Sequence, residues 1–303
     1  MTMLQGLRHN PRFLGSAALL LIILIFAVVG PLLPGHGNPF QNEGGVFTPP
    51  SFHLPLGTDN FGRGVLTELM FGTRNSLIIG LLAGAVAVAI GVVLGTLAGV
   101  TGGILEEGLM AVTNIIIAIP ALIVLILLSY ALHSRSTLTM GLIIGVTSWP
   151  WTARAVRAQA SSLRSREHVD IARLSGSGTV RLIALEIVPY MLSYVVMAFV
   201  LQLASAILTE AGLSLLGLGP SNNVSLGLML HWALLFESVR TGAWWAFLPP
   251  TLMLTLVAFS LLVLQSSLDE VFNPRLRRSR ARRPAPAAAP LGTAVAVPEV
   301  EEA

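Results

Sequence analysis

Residues 13–33 read FLGSAALLLIILIFAVVGPLL, 21 positions without a charge. A helix needs about 20 residues to cross the hydrocarbon core of a bilayer. No water is present there to satisfy a backbone N–H or C=O, so a lipid-exposed segment must make all its own hydrogen bonds. That leaves such a run one structure, the helix. Similar stretches recur at 77–100, 109–132, 138–156, 187–208 and 244–264. Only 11% of the residues are charged and 54% are hydrophobic, where a soluble domain has about a quarter charged. The chain therefore reads as an all-α membrane protein with six transmembrane helices. The first run is too long for the core of a signal peptide, and no small-x-small cleavage site follows it, so it is expected to remain as a span.

Arginine sets the expected orientation. With the N-terminus inside, 14 of the 18 arginines fall on the cytoplasmic side: Arg8 and Arg12, six between Arg154 and Arg181, and six from Arg275 to Arg283. Arg63, Arg74, Arg135 and Arg240 fall outside. The excess of positive charge puts both termini in the cytoplasm. The expected organisation is a cytoplasmic N-terminus at 1–12, a first transmembrane helix at 13–33, an extracytoplasmic loop at 34–74, a transmembrane domain at 75–272 and a cytoplasmic tail at 273–303. The outer loop carries HLPLGTDNFGRGVL and should form turns ending in a short helix. A second outer segment, 220–243, starts polar at PSNN and becomes partly amphipathic. In the tail, PRLRRSRARR suits anionic lipid headgroups rather than nucleic acid. The Pro/Ala-rich remainder is expected to be disordered.

Within the second run, Gly80 and Gly84 form one set at spacing four, and Gly91, Gly95 and Gly99 another. Each set lines a helical face on which a neighbouring backbone can come close. Pro120 and Pro150 each remove a helical hydrogen bond and are expected to kink the third and fourth spans.

The polar island EHVDIARLSGSGTVRLIALEIVPY, 167–190, interrupts the apolar text. Residues 166–175 read as a short helix capped by Ser165, with Glu167 and Asp170 near its positive end. Val169, Ala172 and Arg173 share one side. Gly176 supplies a left-handed residue to end it. A second helix starts at Ser177-Gly178-Thr179 and enters the membrane near Pro189. Composition alone suits a topology determinant on lipid headgroups as well as a docking site.

The spacing resembles the signature of ABC-importer permeases. That pattern is Glu-Ala-Ala, three residues, Gly, nine residues, Ile, one residue, Leu-Pro. Here Asp170-Ile171-Ala172 stands for the first three, Gly176 falls in place, and Glu186, Val188 and Pro189 take the final positions. Ile171 and Glu186 depart from the pattern. PLGTDNFGRGVL (55–66), LTEAGLSLLGLG (208–219) and DEVFNPRLR (269–277) resemble the second permease subunit of dipeptide and oligopeptide importers. SWPWTARAVRAQ (148–159) is similar to a branch that handles sugar oligomers as well. The resemblance covers nearly the whole chain. It implies a type I ABC importer permease fold in a bacterial inner membrane, with a cytoplasmic coupling helix at about 165–178. Arg166, Val169, Asp170, Ala172, Arg173, Gly176 and Pro189 would then couple to an ATPase. The implied partners are a second homologous permease, two ABC ATPases, an extracytoplasmic solute-binding protein and membrane lipid. ATP binding would draw the coupling helices together and open the conduit outward, and losing the Gly176 conformation would uncouple hydrolysis from transport.

The chain has no lysine, and a Walker A loop needs one to hold nucleotide phosphates. ATP and Mg would thus bind partner subunits, with no cofactor, metal or catalytic residue here. With no cysteine either, disulfides and thiolate metal sites are excluded. An intramembrane hydrolase lacks its nucleophile–base pair. An ion-coupled secondary transporter would place ionisable groups inside the bilayer. Only Glu186 and Glu210 come near that, one toward each interface, and each reads as a paired or snorkelling carboxylate. Thr113, Asn114 and Gln202 are polar groups expected to serve helix–helix hydrogen bonds more than a conduit. Peptide cargo is the expectation and oligosaccharide the alternative.

Overall fold

The structure is a computed structural model that describes residues 10–132 and 135–272. Residues 1–9 of the expected N-terminal segment, His133, and the whole expected tail at 273–303 lie outside the described residues. Among the described residues ten α-helices run in chain order: α1 (Pro11–Val29), α2 (Val65–Thr101), α3 (Gly103–Ala118), α4 (Ala121–Ala131), α5 (Thr137–Arg164), α6 (Glu167–Leu174), α7 (Thr179–Leu182), α8 (Val188–Leu213), α9 (Leu226–Leu235) and α10 (Trp244–Phe272). π-Helical turns precede α8 at Ile183–Ile187 and follow it at Ser214–Leu218. Among the described residues there is no strand beyond two isolated bridges in the outer loop.

α1, α2, α10 and the continuous stretch Thr179–Leu218 are each long and apolar enough to cross a membrane. A fifth crossing exists if α3 and α4 count as one. The expected third span thus appears as two helices bent by 83°. Pro120 is the cause. It has no N–H to give, and it forces its predecessor out of the helical region, so Ile119 is extended at ψ 128°. At Pro150, by contrast, α5 continues unbroken. α5 is 28 residues long, but Arg154, Arg157 and Arg164 make its second half too polar to count as apolar throughout.

α2 is the axis of the fold. Its 37 residues would measure about 55 Å at helical rise. The two glycine sets face two different neighbours. A Cβ on Gly80 would lie 2.5 Å from Ile207 of α8. One on Gly91 would lie 2.6 Å from Thr152, and one on Gly95 2.5 Å from the Ala153 carbonyl, both on α5. α5 reciprocates with Gly141 against Leu82 and Gly145 against Val86. Ascending numbers on α2 meet ascending numbers on α5, so these helices run parallel, whereas α8 runs antiparallel to α2. α1 starts at Pro11, where a missing N–H costs nothing, and the Asn10 side chain accepts from Arg12 N at 3.1 Å. α1 lies against α10 through Ile23, Val257 and Leu261, and Arg12 pairs with Glu270 at 3.4 Å.

The outer loop closes on itself with polar contacts. Asp59 Oδ1 accepts from Phe61 N and Arg63 N, both at 2.8 Å. Trp245 of α10 donates Nε1–H to the Thr58 carbonyl at 3.1 Å. Gly57 and Gly62 take φ of +64° and +77°, and any side chain there would meet the Thr48 or Gly44 carbonyl. Arg63 lies over the rings of Phe61 and Trp232 at 4.2 and 4.9 Å and reaches Glu68 at 3.4 Å. Burial pushes the Asp59 carboxyl above its ordinary range, partly offset by the two N–H groups it accepts. The short helix expected at the end of this loop is the first part of α2 itself, which starts at Val65. Its polar residues Thr67, Glu68, Thr73 and Ser76 are buried, so hydropathy hid the helix start.

Candidate functional site

The polar island folds as expected in outline. α6 spans Glu167–Leu174 with acidic Glu167 and Asp170 in its first turn and Arg173 in its last. All three charges sit where the helix dipole favours them. The expected Ser165 cap is corrected. Arg166 is the N-cap residue and offers no side-chain cap, while Ser165 Oγ donates to the Ser162 carbonyl at 3.3 Å, closing α5. The helix starts one residue later than the Ser165 cap requires.

The far end is a Schellman closure. Ser177 N donates to the Ala172 carbonyl at 3.1 Å and Gly176 N to the Arg173 carbonyl at 2.9 Å. Gly176 holds φ +80°. A Cβ there would meet nothing within 4 Å, so glycine is required by backbone conformation and not by space.

α6 has two faces. Val169 is fully buried against Val156, Ala160, Leu182, Ile187 and Met191, so it anchors the helix and has no surface to present. Ala172 is half-buried beside it. Arg166, Asp170, Arg173 and Gly176 are exposed. Asp170 and Arg173 approach to 3.9 Å, an open pair worth little to stability. Exposed beside them are Ile171, Leu174 at 89% and Val180 at 82%. Apolar side chains thus stand exposed among charges on and beside this short helix. Sequence reading noted Ile171 only as a departure from the family pattern and passed over Leu174 and Val180. Pro189 is exposed at the start of α8.

A cavity of about 720 Å³ opens where α3 breaks from α4, walled by Pro120, Thr147, Trp151, Tyr190, Gln202 and Asp269 among others. Gln202 both lines it and ties α8 to α5, donating Nε2–H to the Ser148 carbonyl at 3.0 Å and to Thr152 Oγ1 at 2.8 Å. Thr113 donates to the Leu109 carbonyl within α3, and Asn114 accepts from Arg154 at 2.6 Å. Neither lines the cavity. Tyr190 packs against His168 of α6, ring centroids 4.5 Å apart and planes tilted 32°. His168 Nε2 lies 3.4 Å from the Glu186 carbonyl oxygen. Nothing in the spacing of His168 and Tyr190 foretold this.

Glu186 is half-buried in the π turn before α8. Glu210 does not snorkel and has no ion-pair partner among the described residues, which corrects its expected state. It is fully buried and accepts from three hydroxyls: Ser76 of α2 at 3.1 Å, Ser214 at 2.5 Å and Ser225 at 2.7 Å. Ser76 and Ser225 Oγ in turn accept Leu226 N and Leu228 N at 3.1 and 3.2 Å. Their protons are thereby committed to the carboxylate. The group is a structural knot joining α2, α8 and α9. Among the described residues no His, Asp or Glu cluster suited to a metal occurs.

Residues 91–278 match the family described as binding-protein-dependent transport system inner membrane component. The chain is 31% identical over 275 residues to the dipeptide transport system permease protein DppC of Bacillus subtilis, covering 90% of this chain and 85% of that relative. It is 31% identical over 272 residues to the oligopeptide transport system permease protein OppC of the same organism, covering 89% and 88%. To the di/tripeptide transport system permease protein DppC of Pseudomonas aeruginosa it is 28% identical over 284 residues, covering 91% and 92%.

Proposed function

Because this chain belongs to the family of inner membrane components of binding-protein-dependent transport systems, we propose that it forms half of the translocation pathway of an ATP-driven peptide importer. The relatives reported above are peptide systems, which favours peptide over oligosaccharide. The other half is a second permease of similar fold. Two ABC ATPases bind and hydrolyse ATP, a solute-binding protein delivers cargo at the outer face, and the chain itself hydrolyses nothing.

Helix direction supports a reading of six crossings. α2 and α5 run parallel and side by side, so the chain between them has to return across the membrane, and α3 with α4 is the only segment available to do it. α5 is then a crossing too, its arginine-bearing end at the inner surface with α6. Both termini are cytoplasmic by the same count and by the arginine distribution.

The observation that carries the reading is α6: a short helix held from behind by buried Val169, closed by Gly176, and presenting Arg166, Asp170, Arg173 and the apolar Ile171 and Leu174 outward. We assign it as the coupling helix seated in an ATPase groove. With no native cysteine, Leu174→Cys is expected to crosslink to a cysteine placed in that groove, with a yield that changes when nucleotide binds. Absence of a crosslink from every exposed position of α6 would remove the assignment. In the same assembled importer, Gly176→Ala forces alanine into the left-handed region at about 1–2 kcal/mol. It is expected to lower peptide transport several-fold more than ATP hydrolysis, while the complex still purifies intact.

A further inference from the structure

We infer that the ring contact between His168 and Tyr190 passes movement of α6 to the wall of the cavity, making His168 a positioning residue for transport. This rests on the reading of α6 as the coupling helix. Three side chains of α6 point back into the chain: Val169, Ala172 beside it, and His168. The fully buried residues around Val169 belong to the core and do not line the cavity, which this cluster reaches only through the half-buried Tyr194 packed on its edge. His168 instead stacks on Tyr190, and Tyr190 lines the cavity. The centroid distance of 4.5 Å and the 32° tilt make this a face-on contact between two rigid rings.

The backbone route between the same two points is long and irregular, although Leu182 and Ile187 along it are packed against Val169. It runs through the Gly176–Gly178 turn, the four-residue α7 and the π turn Ile183–Ile187, a geometry associated with functional hinges. Pro189 follows and has no N–H to strengthen the joint. Tyr190 is 62% exposed, so few neighbours other than the imidazole hold its ring. The rings thus give α6 a direct contact with Tyr190, beside the packing of Val169 on Leu182, Ile187 and Met191. The Glu186 carbonyl, 3.4 Å from His168 Nε2, steadies the imidazole over the same hinge.

The test uses the complete importer in proteoliposomes with a labelled tripeptide accepted by its binding protein, and reads ATP hydrolysed per peptide imported. His168→Ala and Tyr190→Ala are each expected to raise that ratio about threefold or more. The double variant should be no worse than either single one, because the contact is already gone. His168→Phe and Tyr190→Phe keep the rings and should restore most of the wild-type ratio. A purely structural role would lower yield and rate with the ratio unchanged, and that result overturns the proposal, as does a His168→Phe variant no better than alanine. The Leu174→Cys crosslink is run on each variant. A normal crosslink with an unchanged ratio sinks only the ring contact. Loss of the crosslink in the parent protein sinks the coupling helix and this inference with it.

Discussion

Gly95→Leu is expected to abolish accumulation of folded protein in the membrane. A Cβ at this position would stand 2.5 Å from the Ala153 carbonyl oxygen and 2.8 Å from Val156 Cβ. The first of these is backbone in the middle of α5 and cannot rotate away. Leucine adds four carbons where there is no room for one, so α2 and α5 must separate along a contact that Gly91 and Gly99 also build. Overpacking a well-filled core costs about 1–3 kcal/mol when side chains can adjust, and here the helices themselves must move. The cost should exceed about 3 kcal/mol on that scale, a large part of a typical domain's stability. Gly108→Leu is the control, since a Cβ there meets nothing within 4 Å. Normal expression of Gly95→Leu would mean that the two helices are not in backbone contact.

The second large effect is at Glu210. Glu210→Ala leaves the hydroxyls of Ser76, Ser214 and Ser225 without their acceptor, in a site closed to water. Hydrogen bonds to a charged group contribute about 1.5–3 kcal/mol each, and buried donors left unpaired cost about 1–3. Pairs inside membrane proteins average less, so a total of about 3 kcal/mol is expected. Glu210→Gln keeps the shape but turns a donating amide toward donors, and should lose roughly half as much on the same basis. The measurement is the fraction of detergent-purified protein that stays monodisperse after heating. If Glu210→Gln melts like the parent while Glu210→Ala does not, volume rather than hydrogen bonding holds the site.

The parts legible in the sequence were those that lipid or backbone sterics dictate. Six apolar runs foretold α1, α2, the α3–α4 pair, α5, α8 and α10, because a chain in hydrocarbon has few alternatives. Gly176 marked the end of α6, since little else takes φ +80° cheaply. The two glycine sets marked two faces of α2, and the structure supplies a different partner for each. What stayed hidden depended on distant residues. Glu210 meets Ser76 across 134 positions, and no local pattern records that. Pro120 and Pro150 looked alike, yet only one breaks its helix. The first turns of α2 carry Thr67, Glu68 and Thr73, which read as a short separate helix on the outer face until they are seen running on into the span. Val169 shared a stripe with Ala172 and Arg173, but only burial shows that it faces inward.

The continuity of α2 has a mechanical consequence. At about 55 Å it outreaches a hydrocarbon core of about 30 Å, with no proline anywhere along it. Its first turns are clamped by the outer loop and by the Glu210 knot, and its last turns by Gly99 against Arg157 and Ala160. A strut fixed at both ends tilts as one piece. A displacement at one end of α2 would therefore reach the other as a lean of the same rod, without a relay of side chains in between.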